Sequence, residues 1–145
     1  YVTGMTYGAF TGFTNAGGSD IFLTKYNSSG TQQWIQQIGT SSYDYARGVA
    51  VDSSGNAYVT GDTGGALTGI NAGSRDIFLT KYDSGGTQQW IRQIGTSGYD
   101  FVNGVAVDSS GNAYVTEITA GAVTGANAGS SDIFLRKYDT NGNLQ

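Results

Sequence analysis

One heptapeptide occurs three times in this chain at a constant interval of 56 residues. The segment 20–26 (DIFLTKY) returns unchanged at 76–82 and, with Arg136 in place of threonine, at 132–138. The segments 48–60 and 31–35 each have a second copy at the same interval. A fixed period of this length is typical of stacked units that cannot bury their apolar faces alone. The fold is therefore best predicted from one repeat.

The composition indicates a packed, turn-rich β-protein and excludes several functional classes. The chain has 24 Gly, no Pro, 38% hydrophobic and only 12% charged residues, which is not the composition of a disordered segment. A net charge of −4 with scattered basic residues argues against binding to nucleic acid or to anionic membranes. No apolar run approaches the ~18 residues that a membrane span requires.

The chain contains neither Cys nor His. Thiolate nucleophiles, disulfides, the usual zinc ligands and the usual general base are therefore missing. We predict no catalytic residue and no metal centre.

The complete repeat reads as four antiparallel strands. Residues 48–52 form a short β-branched run, 53–56 suit a tight turn with a position at positive φ, and 57–61 complete a hairpin. After a Gly/Thr/Ala-rich segment, residues 76–82 and 87–94 predict two more strands around a second turn. Repeated four-stranded units of this size are typical of a β-propeller, in which the sheets, called blades, stack around an axis.

Side-chain patterns favour a propeller over a sandwich. The third strand is apolar on both faces, with Ile77 and Leu79 on one side and Phe78 and Tyr82 on the other, as expected for a sheet between two others. The small residues of 48–51 suit a crowded axis, and the glutamines of 87–94 suit an exposed edge. We expect each repeat to run from the axis outwards.

Three motifs in order resemble the bacterial β-propeller repeat known as SBBP. They are Gly48–Gly61, Asp76–Asp83 and Gly86–Trp90. The resemblance implies a propeller, often seven-bladed, in secreted or surface-attached bacterial proteins of mostly uncharacterised role, and it supplies no catalytic residues.

The length corresponds to about 2.6 repeats, which predicts a piece of a larger propeller. We expect a partial blade without its inner strand at 1–39, a complete blade at 46–95, and a partial blade without most of its outer strand at 102–145.

Short acidic turns raise the question of calcium. The segments 52–56 and 108–112 place Asp, Ser and Asn oxygens near a Gly, but an EF-hand would require a Glu at the twelfth position, where Thr63 stands. The segments 15–20, 71–76 and 127–132 offer two oxygen ligands each. Structural turns and caps are the favoured interpretation, and a weak calcium site at these Asn/Asp turns is the alternative.

Recurrent lysines and tryptophans have structural and functional interpretations. Lys25, Lys81 and Lys137 lie in the third strand, where pairing with a recurrent acid such as Asp44 or Asp100 is favoured over a catalytic role. Trp34 and Trp90 are expected to pack between blades, and a sugar-stacking platform is the alternative.

Positions that differ between repeats are the better guide to ligands, because residues that the fold needs should recur. Divergence is greatest between the second and third strands, and smaller between blades at 45–47 and 101–103. In a four-stranded blade both connections lie on one side of the disc, which predicts a binding face there. The candidate ligand-binding residues are Tyr7, Phe10, Arg47, Asp62, Asn103 and Glu117.

These observations predict a non-enzymatic binding or scaffold module without a cofactor. We expect an extracellular or cell-surface location, by association with the acidic, Cys-free composition, and a protein or glycan partner. The alternatives are a homo-oligomerising repeat that pairs through open blade edges, a lectin-like glycan-binding module, and part of a glycosidase or lyase that uses carboxylates.

Overall fold

The computed structural model describes residues 1–123 and 129–145. Every regular element in these residues is a β-strand, which confirms the all-β class. The ten strands are β1 (Val2–Thr6), β2 (Asp20–Tyr26), β3 (Gln32–Ile38), β4 (Asp44–Val51), β5 (Ala57–Thr63), β6 (Asp76–Tyr82), β7 (Gln88–Ile94), β8 (Asp100–Val107), β9 (Ala113–Thr119) and β10 (Asp132–Tyr138).

The strands form three antiparallel sheets that follow the sequence period. The first blade has the order β1-β2-β3, the middle blade β4-β5-β6-β7, and the third blade β8-β9-β10. The strands β2, β6 and β10 carry the recurring heptapeptide and occupy the same place in each blade. The partial propeller predicted from the repeats is thereby confirmed.

The first strand of the middle blade is longer than its β-branched run indicates. It begins at Asp44, four residues before Gly48, and a bulge between Ala46 and Gly48 shifts its register against β5. A bulge inserts an extra residue and turns its side chain away from the regular alternation. Arg47 is the inserted residue, and Asn103 is inserted at the equivalent bulge of β8.

The core consists of two layers, one at each blade-to-blade interface. Ile77 and Leu79 of β6 pack against the third blade, and Phe78 and Tyr82 pack against the first blade. Both faces of β6 are therefore apolar and buried, as predicted for a sheet that lies between two others.

The predicted tight turns are present at the opposite end of the sheets from the variable loops. In the turn between β4 and β5, Gly55 has a φ of 79°, and the Asp52 carboxylate accepts hydrogen bonds from the backbone amides of Ser54 and Asn56 (both 2.9 Å). We call this side of the molecule the turn face. It carries the turns 27–31, 52–56, 83–87, 108–112 and 139–143.

The longer connections share the other side, which we call the loop face. The antiparallel register places Asp44 opposite Thr63 and Thr63 opposite Asp76, so that three strand ends meet there. Bridges between Ser19 and Tyr43 and between Arg75 and Tyr99 join the connections within blades to those between blades. The described parts of the loop face comprise 7–19, 39–43, 64–75, 95–99, 120–123 and 129–131.

Candidate functional site

Two stacked aromatic pairs lie on the loop face, where the chain enters β4 and β8. The rings of Tyr43 and Tyr45 have centroids 6.4 Å apart and planes 9° apart. Tyr99 and Phe101 repeat this arrangement at 6.1 Å and 5°. Tyr43 is 50% exposed and Tyr99 54% exposed. Residues i and i+2 of a strand share a side, which explains why both pairs stack. Successive blades thus present flat, half-exposed aromatic surfaces.

A charged cluster adjoins the first of these pairs. Asp62, at the end of β5, has no exposed surface. The Nε of Arg47 donates to its Oδ1 (2.6 Å), and the Nη1 of Arg75 donates to its Oδ2 (2.6 Å). Both guanidinium groups lie against the Tyr45 ring, with Cζ atoms 5.3 and 4.6 Å from the centroid, within the range of cation–π attraction. We call Arg47, Asp62, Arg75 and Tyr45 the arginine cluster.

Burial and hydrogen bonding act in opposite directions on the pKa of Arg75. Burial lowers this pKa, and the hydrogen bonds to Asp62 and Tyr45 raise it, with a net shift upwards. The guanidinium is therefore charged at every physiological pH, and a cation is permanently present at this point of the loop face.

Glu117 is the counterpart of a glycine in the middle blade. It replaces Gly61, while Arg136 replaces Thr80, and the two new side chains form an ion pair. Burial raises the pKa of Glu117, and Arg136 lowers it in part, with a net shift upwards. Glu117 is 1% exposed, so a ligand on the surface does not reach its carboxylate directly.

The structure brings together only two of the six predicted binding residues. Arg47 and Asp62 are in contact, whereas Tyr7 is exposed on the first blade and Asn103 is exposed on β8. Phe10 packs edge-on against Phe22, with centroids 5.6 Å apart. Part of the third variable loop, 124–128, and the Asn127 turn lie outside the described residues.

The recurrent acids of the loop face hold the connections in place. The Asp44 carboxylate accepts from the backbone amide of Thr40 (2.6 Å) and from the Thr63 hydroxyl. The Asp76 carboxylate accepts from the amide of Ala72 (2.9 Å) and from the Gln93 side chain (2.9 Å). These bonds support the structural interpretation of the loop acids. The calcium alternative remains a prediction.

The expected pairing of the strand lysines with Asp44 or Asp100 is wrong. Lys81 donates to the backbone oxygen of Thr140 (3.2 Å) and lies 5.1 Å from the Tyr58 ring centroid. These lysines are near the turn face, at the far end of the strand from Asp44 and Asp100. Distance along the strand, which residue type alone does not reveal, decides the partner.

The tryptophans bridge neighbouring blades at the turn face. The indole N–H of Trp34 donates to the backbone oxygen of Ser84 (3.2 Å), and that of Trp90 donates to Thr140 (3.0 Å). Gly86 lies directly against the Trp34 ring, where a Cβ atom would be 2.8 Å from Cδ2. This arrangement favours the packing interpretation of both tryptophans.

Sequence reasoning missed Tyr43, Tyr99 and Arg75 as site residues. The tyrosines recur at the same repeat position, so a comparison of the copies does not single them out. Arg75 does diverge, because serine occupies its position at 19 and 131. A charged residue at one copy of an otherwise constant serine is the signal that points to it.

Two segments, 33–67 and 89–116, match the family model of the SBBP β-propeller repeat. Both segments are SBBP-type β-propeller repeats. The first matched segment contains β4 and β5 of the middle blade, with Arg47 and Asp62. The second segment ends one residue before Glu117.

Two relatives are similar in sequence to this chain over most of its length. A regulatory protein, FlaEY, of Caulobacter vibrioides is 30% identical over 142 residues, which cover 89% of this chain and 15% of the relative. An uncharacterized WD repeat-containing protein of Acanthamoeba polyphaga mimivirus is 28% identical over 121 residues, which cover 71% of this chain and 9% of the relative. The chain thus spans a small fraction of the length of either relative.

The described residues include no helix of a length and apolarity that would cross a membrane.

Proposed function

We propose that these SBBP repeats form a non-enzymatic binding module that engages its ligand through the loop face. The observation that carries the proposal is the repeated pair of stacked aromatic rings, Tyr43 with Tyr45 and Tyr99 with Phe101. Exposed aromatic surface costs free energy in water, and this free energy is recovered when a ligand covers the rings. The rings recur in successive blades, which suits a ligand that itself repeats, such as an oligosaccharide.

An array of neutral and acidic oligosaccharides tests this proposal. We expect the wild-type chain to bind at least one saccharide class and the double variant Tyr43→Ala/Tyr99→Ala to lose at least tenfold in affinity. The control is Val51→Ala, which removes an apolar side chain of similar exposure, 42%, near the turn face. Binding that depends on Val51 rather than on Tyr43 and Tyr99, or no binding to any saccharide, would overturn the proposal.

The proposal includes no catalysis by this chain. Support comes from the state of the two variable acids, because Asp62 and Glu117 are each buried and paired with arginine. A carboxylate used in glycoside cleavage has to reach the glycosidic oxygen or the anomeric carbon. Incubation of the chain with the bound saccharides should leave them intact. Cleavage that disappears in Asp62→Asn would contradict this part of the proposal.

A cell-surface or extracellular location belongs to the same proposal. The support is compositional, since a Cys-free, acidic chain rich in Thr, Asn and Gly has no residue that depends on a reducing compartment. Protease treatment of intact cells that produce the parent protein provides the test. Digestion of these repeats in intact cells is expected, and protection until lysis would contradict it.

A second candidate function, assembly, is supported by the faces of the outer blades. Ile77 and Leu79 are buried between blades at 1% and 0% exposure, whereas their copies Ile133 and Leu135 are 77% and 66% exposed. On the first blade, Val2, Phe22, Tyr26 and Ile35 line an apolar groove. The residues that join the blades inside the chain are thus available at both ends of the stack. We propose that a second copy of the chain docks head to tail, with its third blade on this groove.

Sedimentation velocity over a range of concentrations tests the assembly proposal. The double variant Ile133→Asp/Leu135→Asp should abolish self-association, because charges would replace the apolar contact. Ile70→Asp is the matched control, since Ile70 is 84% exposed on a loop outside the blade faces. A monomer at all concentrations, or equal effects of both variants, would overturn head-to-tail packing.

A further inference from the structure

The arginine cluster holds more positive than negative charge. Asp62 contributes one buried carboxylate, and Arg47 and Arg75 contribute two guanidinium groups. The cluster itself therefore has a net charge of +1 in a chain with a net charge of −4, and the neighbouring Asp44 and Asp76 carboxylates are buried beneath the surface. The arginine side chains also remain partly accessible, at 43% for Arg47 and 25% for Arg75. An anion that approaches from solvent therefore meets two guanidinium groups whose positions are already set by Asp62.

The third blade is an internal control for what the fold requires. At the positions of Arg47, Asp62 and Arg75 it has Asn103, Ile118 and Ser131. The aromatic pair of that blade stacks nonetheless, with planes 5° apart. All three charged residues are thus replaced together, and the bulge, the strand pairing and the aromatic stack are retained. These features of the fold therefore do not require the three charges, which leaves the charges of the middle blade available for a ligand.

The chemistry of the cluster selects the ligand class. A guanidinium group presents parallel N–H donors that match the two oxygens of a carboxylate or a sulfate, and a fixed guanidinium loses little entropy on binding. The Tyr43 ring, stacked on Tyr45, offers an adjoining flat surface to the C–H face of a sugar ring. Anion and ring recognition therefore occur side by side.

We propose that the arginine cluster and Tyr43 bind an acidic sugar, with its anionic group on Arg47 and Arg75 and its ring on Tyr43. The inference rests on the proposed function of the loop face and narrows it to carboxylated or sulfated saccharides. Asp62 acts as a positioning residue, because it orients both guanidinium groups and has no exposed surface of its own.

Three matched probes test the inference by calorimetric titration at low salt. They are an oligogalacturonate, its fully methyl-esterified neutral form, and a sulfated galactan oligomer. The variant Arg47→Asn/Asp62→Ile/Arg75→Ser installs the residues of the third blade at the cluster. We expect at least a tenfold loss of affinity for the acidic probes and no change for the neutral one. Preference between the two acidic probes identifies the anionic group, and added salt should weaken both, since the attraction is ionic.

If the triple variant fails to fold, the single variant Arg47→Asn provides the test, because Asp62 remains paired with Arg75. It should weaken acidic binding at least threefold. Equal binding of acidic and neutral probes, unaffected by either variant but lost in Tyr43→Ala, would overturn the inference and leave the loop-face proposal intact. No binding of any probe by the wild-type chain would count against both. Acidic binding that both variants retain would place the anion site elsewhere and overturn the inference.

Discussion

At the scale of single residues, two glycines leave room for two buried carboxylates. A Cβ atom on Gly39 would lie 2.1 Å from Oδ1 of Asp20, and one on Gly95 would lie 1.9 Å from Oδ1 of Asp76. Both acids are 1% exposed and organise the loop face through their other oxygens. The recurring glycine that follows β3 and β7 is therefore required by the neighbouring acid.

The substitution Gly95→Ala should destabilise the chain by about 2 kcal/mol, because Asp76 would have to leave its bonds to Ala72 and Gln93. Gly104→Ala is the matched control, since no heavy atom lies within 4 Å of its Cβ position, and it should change stability by less than about 0.5 kcal/mol. Urea unfolding monitored by fluorescence measures both. Equal losses would show that Asp76 tolerates the displacement.

The acidic turns make a residue-scale prediction about pH. Hydrogen bonds from the side chain and the backbone amide of Asn112 lower the pKa of Asp108 below its ordinary 3.8. A lowered folded-state pKa contributes stability that is present above the unfolded value and is lost as pH falls through the folded value. A carboxyl NMR titration should give Asp108 a pKa below 3.8, and Asn112→Ala should raise this pKa. Asn56→Ala, in the equivalent turn of the middle blade, should leave the pKa of Asp108 unchanged.

At the scale of elements, the same heptapeptide has three different environments. The strands β2 and β6 are identical in sequence, yet Tyr26 is 44% exposed and Tyr82 is 3% exposed. Burial raises the pKa of Tyr82 to about 12. The strand forms in each case because its β-branched and aromatic residues favour it, and only the neighbouring sheets decide how much of it is buried.

One repeated isoleucine provides the test of this difference. Ile77→Ala should cost about 3 kcal/mol, because the residue is 1% exposed between two blades and a cavity would remain. Ile133→Ala, the same substitution at the same repeat position, should cost less than about 0.5 kcal/mol in the monomer. Thermal unfolding at a concentration below any self-association compares them. Similar costs would indicate that the third blade is covered in solution.

At the scale of the whole molecule, stability is expected to be highest in the middle blade. Every residue of β5 is buried, and all but one of β6, whereas β10 has only Tyr138 buried. In a stacked repeat array each unit is stabilised by its neighbours, and only the middle blade has two.

Amide hydrogen exchange should therefore be slowest in β5 and β6, by at least tenfold relative to β10, because opening of the middle blade breaks both interfaces. Mass spectrometry of peptides from the three blades measures the rates. Uniform exchange across β2, β6 and β10 would mean that the chain unfolds as a single unit.

The repeat period, the strands, the turns and the two-sided apolar pattern of the blade could all be predicted from the sequence. They depend on the local conformational preferences of the residues and on the alternation of side chains along a strand, and both are visible within a single repeat. The same comparison of copies located Arg47 and Asp62, because divergence is visible in the sequence. That comparison did not predict their pairing with Arg75 or the stacking of Tyr43 on Tyr45.

Those contacts were decided by the tertiary structure. Arg47, Asp62 and Arg75 come from three successive connections or strand ends, and they meet because antiparallel pairing brings these ends to one side of the blade. The burial of identical heptapeptides was decided in the same way, by the blades beside them. Strand formation is a local property that the sequence by itself determined, whereas burial and charge pairing act through space between segments far apart in the chain.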